Sequence, residues 1–500
     1  MSKDELLNLA LRRSLFYPAA EIYANAPSGF WEFGPAGVKI RNKIVQQWRK
    51  QLVEREGFIE IHGAQILPES VFKASGHLEN FNDPIVQCKK CNSLHRADQL
   101  IAEKTGNIIP ESMATTELAS LIKKNEVKCP KCGAKELGEV RKFNMMMKVD
   151  IGATGEYRSF LRPETCQSIF CDFDRLWKSS RGKLPLGIAQ AGASFRNEIS
   201  PRNSILRARE FGQMELEIFF NPKKAGEAEK WEEMKAYKLR LMPLKLKKVE
   251  SVPAEKAVKE KIISSKFAAY YLARVQQLYE SYGIPAEKMR FRQLDSEEKA
   301  FYAADAWDFE VETELGWIEL IANNNRTDYD LKRHAAESKK DLSVKEEGES
   351  ERFVPHNFEI STGIDRTLYA ILELAYRKEK RGPEERIFLN LPASIAPYIA
   401  GIFPLVKKDG LSEKAFQLFE QLQAIGLDVL YDEGGSIGRR YARIDEIGVP
   451  FAITLDYDSL KDGTATLRER NSLEQKRVKI SALSELLWKL ETGQTTFDKL

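Results

Sequence analysis

The segment Gln213-Met214-Glu215-Leu216-Glu217-Ile218 alternates polar and apolar residues at every position. A period of two fits only an extended strand, whose successive side chains point to opposite faces. The chain must therefore build a sheet with one apolar face and one carboxylate-rich face. An earlier strand-like run from Gly187, joined through the polar turn Ile199-Ser200-Pro201-Arg202-Asn203-Ser204, predicts an antiparallel hairpin with a long loop. Arg196 and Glu198, read as strand residues, share one face, and Arg207 falls on the return strand. In an isolated hairpin the same pattern describes a solvated face carrying cross-strand ion pairs.

A third segment bears on that choice. In Phe358-Glu359-Ile360-Ser361, Glu359 and Ser361 share a strand face, and the chain then turns at Gly363 into a helix with Leu368, Ile371, Leu372 and Ala375 directed inward. Arg366 sits in the first turn of that helix. Free N–H groups at a helix start and a guanidinium beside them suit a phosphate chain.

Five hundred residues exceed one hydrophobic core, so two or three domains are expected. A net charge of +3 means that a polyanionic partner must meet local basic patches rather than a basic surface. No run of about 18 apolar residues occurs, and MSKDELLNLALRRSLF reads as an amphipathic helix, so the chain is expected to be neither membrane-spanning nor secreted. Four of the six cysteines form two C-x-x-C pairs, Cys88/Cys91 and Cys129/Cys132, which points to a reducing, cytoplasmic setting. Four thiolates suit tetrahedral Zn²⁺ and leave no open position, so a structural zinc is expected. Cys166 and Cys171 read as buried small residues, and none of the five histidines reads as a general base.

The texture changes along the chain. Residues 83–145 read as a small zinc-binding insertion and residues 221–290, rich in Lys, Glu and Ala, as a helical insertion. After Gly382-Pro383 the pattern becomes strand (387–391), helix, strand, helix, and predicts an α/β domain over 386–500.

These segments meet a known family. The helix 36–56 with the strand running to Pro68, F-R-N-E with the later arginine and R-E-F (195–211), and Gly363-Ile364-Asp365-Arg366 resemble motifs 1, 2 and 3 of class II aminoacyl-tRNA synthetases. Trp31-Glu32-Phe33-Gly34-Pro35, Ser75-Gly76-His77, Leu161-Arg162-Pro163-Glu164-Thr165 and Gly316-Trp317-Ile318-Glu319 resemble the homodimeric glycyl branch, over nearly the whole chain. The resemblance implies an α+β fold. Residues 1–385 would be the catalytic domain, an antiparallel sheet flanked by helices, and 386–500 the anticodon-binding domain. It implies activation of glycine by ATP with Mg²⁺, release of pyrophosphate, and transfer of glycine to tRNA(Gly). ATP would be held by Arg196, Asn197, Glu198, Leu206, Arg207, Phe211, Glu319, Leu320, Gly363 and Arg366. Among these, Arg196, Glu198, Arg207 and Arg366 would carry the chemistry and Glu319 would bind Mg²⁺. Glycine would meet Arg96, Glu164, Glu215, Glu359 and Ser361.

Arg440 and Arg443, near an aromatic at a helix start, are expected to contact the tRNA anticodon. The chain departs from the family pattern at Ser168, Phe301 and Ile360. The competing reading is a non-catalytic paralogue acting as a nucleic-acid-binding accessory protein; such a chain has no reason to retain Arg196, Glu198, Arg207 and Arg366 together.

Overall fold

The alternating segment lies where its period demands, in the interior of a sheet. The computed structural model describes residues 3–107, 109–110, 113–295, 305–381 and 384–500. Phe301 lies outside the described residues. A central sheet has nine strands: β1 (Ile59–Glu60), β2 (Leu186–Phe195), β3 (Glu210–Phe220), β4 (Lys238–Met242), β5 (Glu250–Pro253), β6 (Met289–Gln293), β7 (Asp305–Thr313), β8 (Gly316–Thr327) and β9 (His356–Gly363). Their order across the sheet is β5-β4-β6-β7-β8-β9-β3-β2-β1, antiparallel except where β1 meets β2 and β4 meets β6.

Five helices bear on the site: α1 (Pro35–Trp48), α2 (Cys166–Ser179), α3 (Lys266–Ser281), α4 (Tyr329–Ser338) and α5 (Ile364–Ala375). Met214, Leu216 and Ile218 of β3 join Ile44 and Trp48 of α1, Leu272 of α3 and Leu368 of α5 in one apolar core. The opposite face carries Gln213, Glu215 and Glu217, all buried. Phe219 follows them on that face and packs with Phe170 and Phe173 of α2. The carboxylate face is therefore covered by protein, which corrects the picture of a solvated hairpin.

Helix α1 starts on Pro35, whose fixed φ suits a first helical position, and runs into a π-helical turn, Arg49–Glu54. The extended stretch expected after it divides into β1 of the central sheet and a separate strand, Ile66–Pro68, paired with Tyr157–Leu161. Residues 221–290 are not only helical. Lys238–Met242, Glu250–Pro253 and Met289–Gln293 lengthen the central sheet, and α3 is buried in the main core. The alternation of Leu239 and Leu241 with Lys238 and Arg240 is a strand period that the lysine-rich composition obscures.

Strands Leu94–Arg96, Asn82–Gln87 and Arg141–Asn144 form a small sheet with its own core of Val86, Ile101, Leu118 and Ile122. Toward the C-terminus a five-stranded sheet, ordered Val429–Tyr431, Ala400–Pro404, Phe451–Leu455, Thr464–Glu469, Gln475–Lys479, packs in a second core. The expected strand at 387–391 instead ends a two-stranded ribbon, Tyr376–Arg381 with Glu384–Leu389, outside that sheet. The C-terminal unit is fastened to α1 by Lys39 with Asp428 and by Lys43 Nζ with Glu491 at 2.7 Å. Among the described residues no helix is long and apolar enough to cross a membrane.

Candidate active site

Strand β2 stops at Phe195, paired with Glu210. Beyond it the ladder gives way: Arg196 N donates to Arg209 O, Asn197 N to Met145 O, and Glu198 N back to Arg196 O at 2.7 Å. Arg207 follows a single turn, Ser204–Leu206, and precedes β3. Strand alternation therefore does not place Arg196, Glu198 and Arg207 together, contrary to the expectation from sequence. A tight reversal does, because Pro201 and the left-handed Asn203 and Ser204 break the ladder.

Arg196, Glu198, Leu206, Arg207, Phe211, Glu319, Leu320, Gly363 and Arg366 line one cavity of about 240 Å³, together with Glu164, Glu359 and Ser361. Asn197 is the one expected nucleotide residue outside the lining. The Arg196 guanidinium stands between the rings of Phe81 (5.4 Å) and Phe211 (5.3 Å), with Nε on Pro163 O at 3.2 Å. No carboxylate pairs with it among the described residues, so its charge is free for an anion. Arg207 bonds Glu198 Oε2 through Nε (2.7 Å) and Nη2 (2.6 Å). Arg366 is anchored on Leu206 O and Glu319 O, both at 3.2 Å, with 39 % of its side chain exposed. Glu310, opposite Glu319 in the β7–β8 ladder, is held by Arg290 and Arg292, whereas among the described residues Glu319 pairs only with Arg366 Nη1, at 3.8 Å. Glu319 is thus an exposed oxygen donor on the cavity wall.

The acids converge behind this wall. Glu359 accepts from Arg326 Nη1 (2.8 Å) and Asn324 Nδ2 (2.6 Å), and the same guanidinium holds Asp330 through two bonds of 2.7 Å. Glu215 lies one layer below the cavity and accepts from Thr165, Gln213 and Ser361. Burial, then Glu164 and Glu359, push its carboxyl up to about 7. Burial works the same way on Glu164, but His77 and Arg326 outweigh it and hold that carboxyl well below its ordinary value. Gln167 Nε2 (2.8 Å) and the Cys166 thiol (3.1 Å) also donate to Glu164. The pocket thus offers carboxylates at several depths.

Arg96, expected among the substrate contacts, is bonded to Asp83 and Asp98 and stands outside the lining. Cys171 is exposed, which corrects its reading as buried, while Cys166 is buried. Ser168 is buried beside Gly63, where a Cβ would stand 2.5 Å from the Ser168 Cβ, so only glycine fits. Ile360 points into the apolar core, away from the cavity.

Sequence reasoning did not single out Arg162, His77, Gln213 or Arg326 for the pocket. Arg162 is buried and bonds the carbonyls of Ala193 (2.9 Å) and Gly63 (3.2 Å). His77 links Ser75 Oγ (2.7 Å) to Glu164 (3.5 Å). The quoted Leu-Arg-Pro-Glu and Ser-Gly-His segments contain two of these residues, but only the tertiary fold aims them.

The four expected thiols form a cluster. Sγ of Cys88 lies 3.6 Å from that of Cys132, and Sγ of Cys91 lies 3.7 Å from that of Cys129. Thiolates at Zn–S distances around a tetrahedral ion stand about 3.8 Å apart, so the donor set fits such a metal. Asn92 N to Cys88 O (2.9 Å) and Gly133 N to Cys129 O (2.8 Å) close the two turns.

For Arg440 the anticodon expectation needs correction. Arg440 is 2 % exposed and donates to the carbonyls of Pro404, Leu405 and Gly435, and Arg443 Nε bonds Asp432 at 2.8 Å. Arg440 holds the domain together, while the Arg443 side chain stays 35 % exposed beside Asp432. A basic helix does not declare from sequence which of its arginines faces inward.

Two family models match the chain. One, described as tRNA synthetase class II core domain (G, H, P, S and T), covers residues 148–375. The other, described as Anticodon binding domain, covers residues 400–490. Among curated proteins, the glycine–tRNA ligase of Methanocaldococcus jannaschii is 39 % identical, with 97 % of this chain and 99 % of the relative aligned. That of Pyrococcus abyssi is 39 % identical with 98 % of each aligned, and that of Thermococcus gammatolerans 38 % identical with 98 % and 99 % aligned.

Proposed function

Since this chain belongs to the glycine–tRNA ligases of the class II synthetases, we propose that the cavity between Arg196 and Glu359 is where it joins glycine to ATP. The enzyme activates glycine and transfers it to tRNA, and the class II synthetases use ATP and Mg²⁺. The observation that carries the site reading is the unpaired guanidinium of Arg196 in one cavity with Glu164 and the buried Glu359, above the buried Glu215.

In this reading a glycine carboxylate oxygen attacks the α-phosphorus and pyrophosphate leaves. Arg196 bridges the two reacting anions, and Phe211 supports the adenine ring. Glu198 accepts from the adenine amino group, which requires Arg207 to exchange its bond with Glu198 for the outer phosphates alongside Arg366. The acids and Ser361 receive the glycine ammonium. Glu319 is the ligand proposed for Mg²⁺, which when bound neutralises charge on the phosphate oxygens. Residues 1–385 serve catalysis, with 83–145 and 221–290 as insertions, and 386–500 meets the anticodon, through exposed residues other than Arg440. The enzyme is proposed to work in the cytoplasm as a homodimer built on α1 and β1; a monomeric mass in sedimentation at micromolar concentration would count against the dimer.

Exchange of pyrophosphate into ATP, measured without tRNA, is expected with glycine and not with alanine or serine. A pocket that excludes a methyl by steric contact needs no editing step. Equal exchange with alanine would remove the pocket assignment.

The cysteine cluster is proposed to hold one structural zinc. Zinc analysis of freshly purified, reduced protein is expected to return one ion per chain, and chelation should unfold the 82–144 module. A chelated protein with unchanged amide exchange in that module would defeat the assignment.

A further inference from the structure

We propose that Glu217 carries a proton in the working enzyme and pairs with the Asn357 side chain as an acid–amide couple, leaving Glu359 as the charged acid at that end of the glycine pocket. The inference rests on the reading of Glu359 as a glycine contact.

The register comes first. Glu217 of β3 stands directly opposite Glu359 of β9, and both are buried, Glu217 completely. Like charges directly opposite on a sheet destabilise it, and removal from water removes the screening that would make them tolerable. The nearest cation does not solve the problem, because the Arg326 guanidinium already serves both Glu359 and Asp330. Among the described residues no arginine or lysine bonds Glu217.

The hydrogen-bond inventory supplies an independent argument. Asn357 Nδ2 donates to Glu217 Oε2. Glu217 Oε1 and Asn357 Oδ1 are both buried without a hydrogen-bond partner. An ionised carboxylate and an amide oxygen are both acceptors, so neither can satisfy the other. One proton on Glu217 resolves both vacancies. Its O–H donates to the amide oxygen while the amide N–H donates to the acid carbonyl, closing a ring of two hydrogen bonds. A protonated acid of this kind is the cheapest way to bury the group.

The groups facing Glu217 agree. They are Glu215 on its own strand, Glu359 and Asn357 on β9, Arg326 on β8 and Cys166 on α2. Burial, followed by Glu359, pushes the Glu217 carboxyl well above its ordinary value, against a smaller opposing effect of Arg326. Glu217 acts through Glu359 and is a positioning residue; it does not line the cavity.

The test compares Glu217→Gln, Glu217→Ala and Glu359→Gln by infrared difference spectroscopy near neutral pH and by the glycine KM of pyrophosphate exchange. The amide of Glu217→Gln reproduces both hydrogen bonds, so the glycine KM is expected within about threefold of the parent, while Glu217→Ala, which strands the Asn357 amide, raises it on the order of tenfold or more. The carboxylic-acid C=O band of the parent should disappear in Glu217→Gln. No such band difference, or a rise in glycine KM for Glu217→Gln as large as for Glu359→Gln, would overturn the proposal. A glycine KM unchanged by Glu359→Gln would instead overturn the pocket reading and with it the role given to Glu217.

Discussion

Arg196→Ala is expected to lower glycine-dependent pyrophosphate exchange about 10³-fold, or roughly 4 kcal/mol of barrier, the scale seen when one preorganised electrostatic contact is removed. The size follows from how the guanidinium is held. Phe81 and Phe211 flank it and Pro163 O fixes Nε, so the side chain is already oriented, and among the described residues no acid neutralises it. An arginine paired with a carboxylate would need to break that bond before meeting a phosphate; this one does not. Arg196→Lys should recover little, because a point charge lacks the planar fork that spans two anions. Filter binding of tRNA should be unaffected, since the residue lies inside the cavity. Exchange within threefold of the parent would remove Arg196 from the mechanism.

Arg326→Leu is expected to cost about 3–5 kcal/mol of stability in chemical denaturation, the range for breaking a buried charge pair from one side. The guanidinium is 3 % exposed and joins Glu359 to Asp330, so its loss strands two buried carboxylates. The loss should depend on pH with a definite sign. Burial already raises the Glu359 carboxyl above its ordinary value even with Arg326 opposing it. Without Arg326 it rises further, so the folded variant binds protons that the unfolded chain releases. Its stability is then greatest in acid and falls as pH climbs through the raised folded value. The deficit relative to the parent should accordingly widen from pH 5 to pH 8. A deficit below about 1 kcal/mol, or one that narrows with pH, would show that Arg326 is not the counter-charge.

Much of this site was legible in the sequence, for reasons that differ by residue. Gln213 to Ile218 announced its strand because a period of two has no other reading, and Glu359 with Ser361 followed the same logic. The shared cavity of Arg196, Glu198 and Arg207 was anticipated by resemblance, but the strand argument offered for it fails, because the ladder ends at Phe195. Arg326 is not legible in the sequence, since Glu359 becomes its partner only when β8 and β9 pair. Arg440 misled for the opposite reason: its positive charge reads as surface, yet the carbonyls of Pro404 and Gly435 that bury it lie in other segments. The strand Lys238–Met242 within 221–290 is hidden by Lys238 and Arg240 alternating with its leucines. Periodicity reports a residue's face; only the fold reports what covers it.

The position of β3 bears on how the chain is made. Its neighbours in the sheet are β2, complete at residue 195, and β9, which begins only at residue 356. A ribosome releasing the chain from its N-terminus therefore delivers the hairpin long before the strand that closes it, and the edge waits while residues 221–355 emerge. During that wait Glu215 and Glu217 face water as charged groups, and charge on an open edge deters pairing with a stranger's strand. The acids buried in the finished sheet are the charges that guard its unfinished edge.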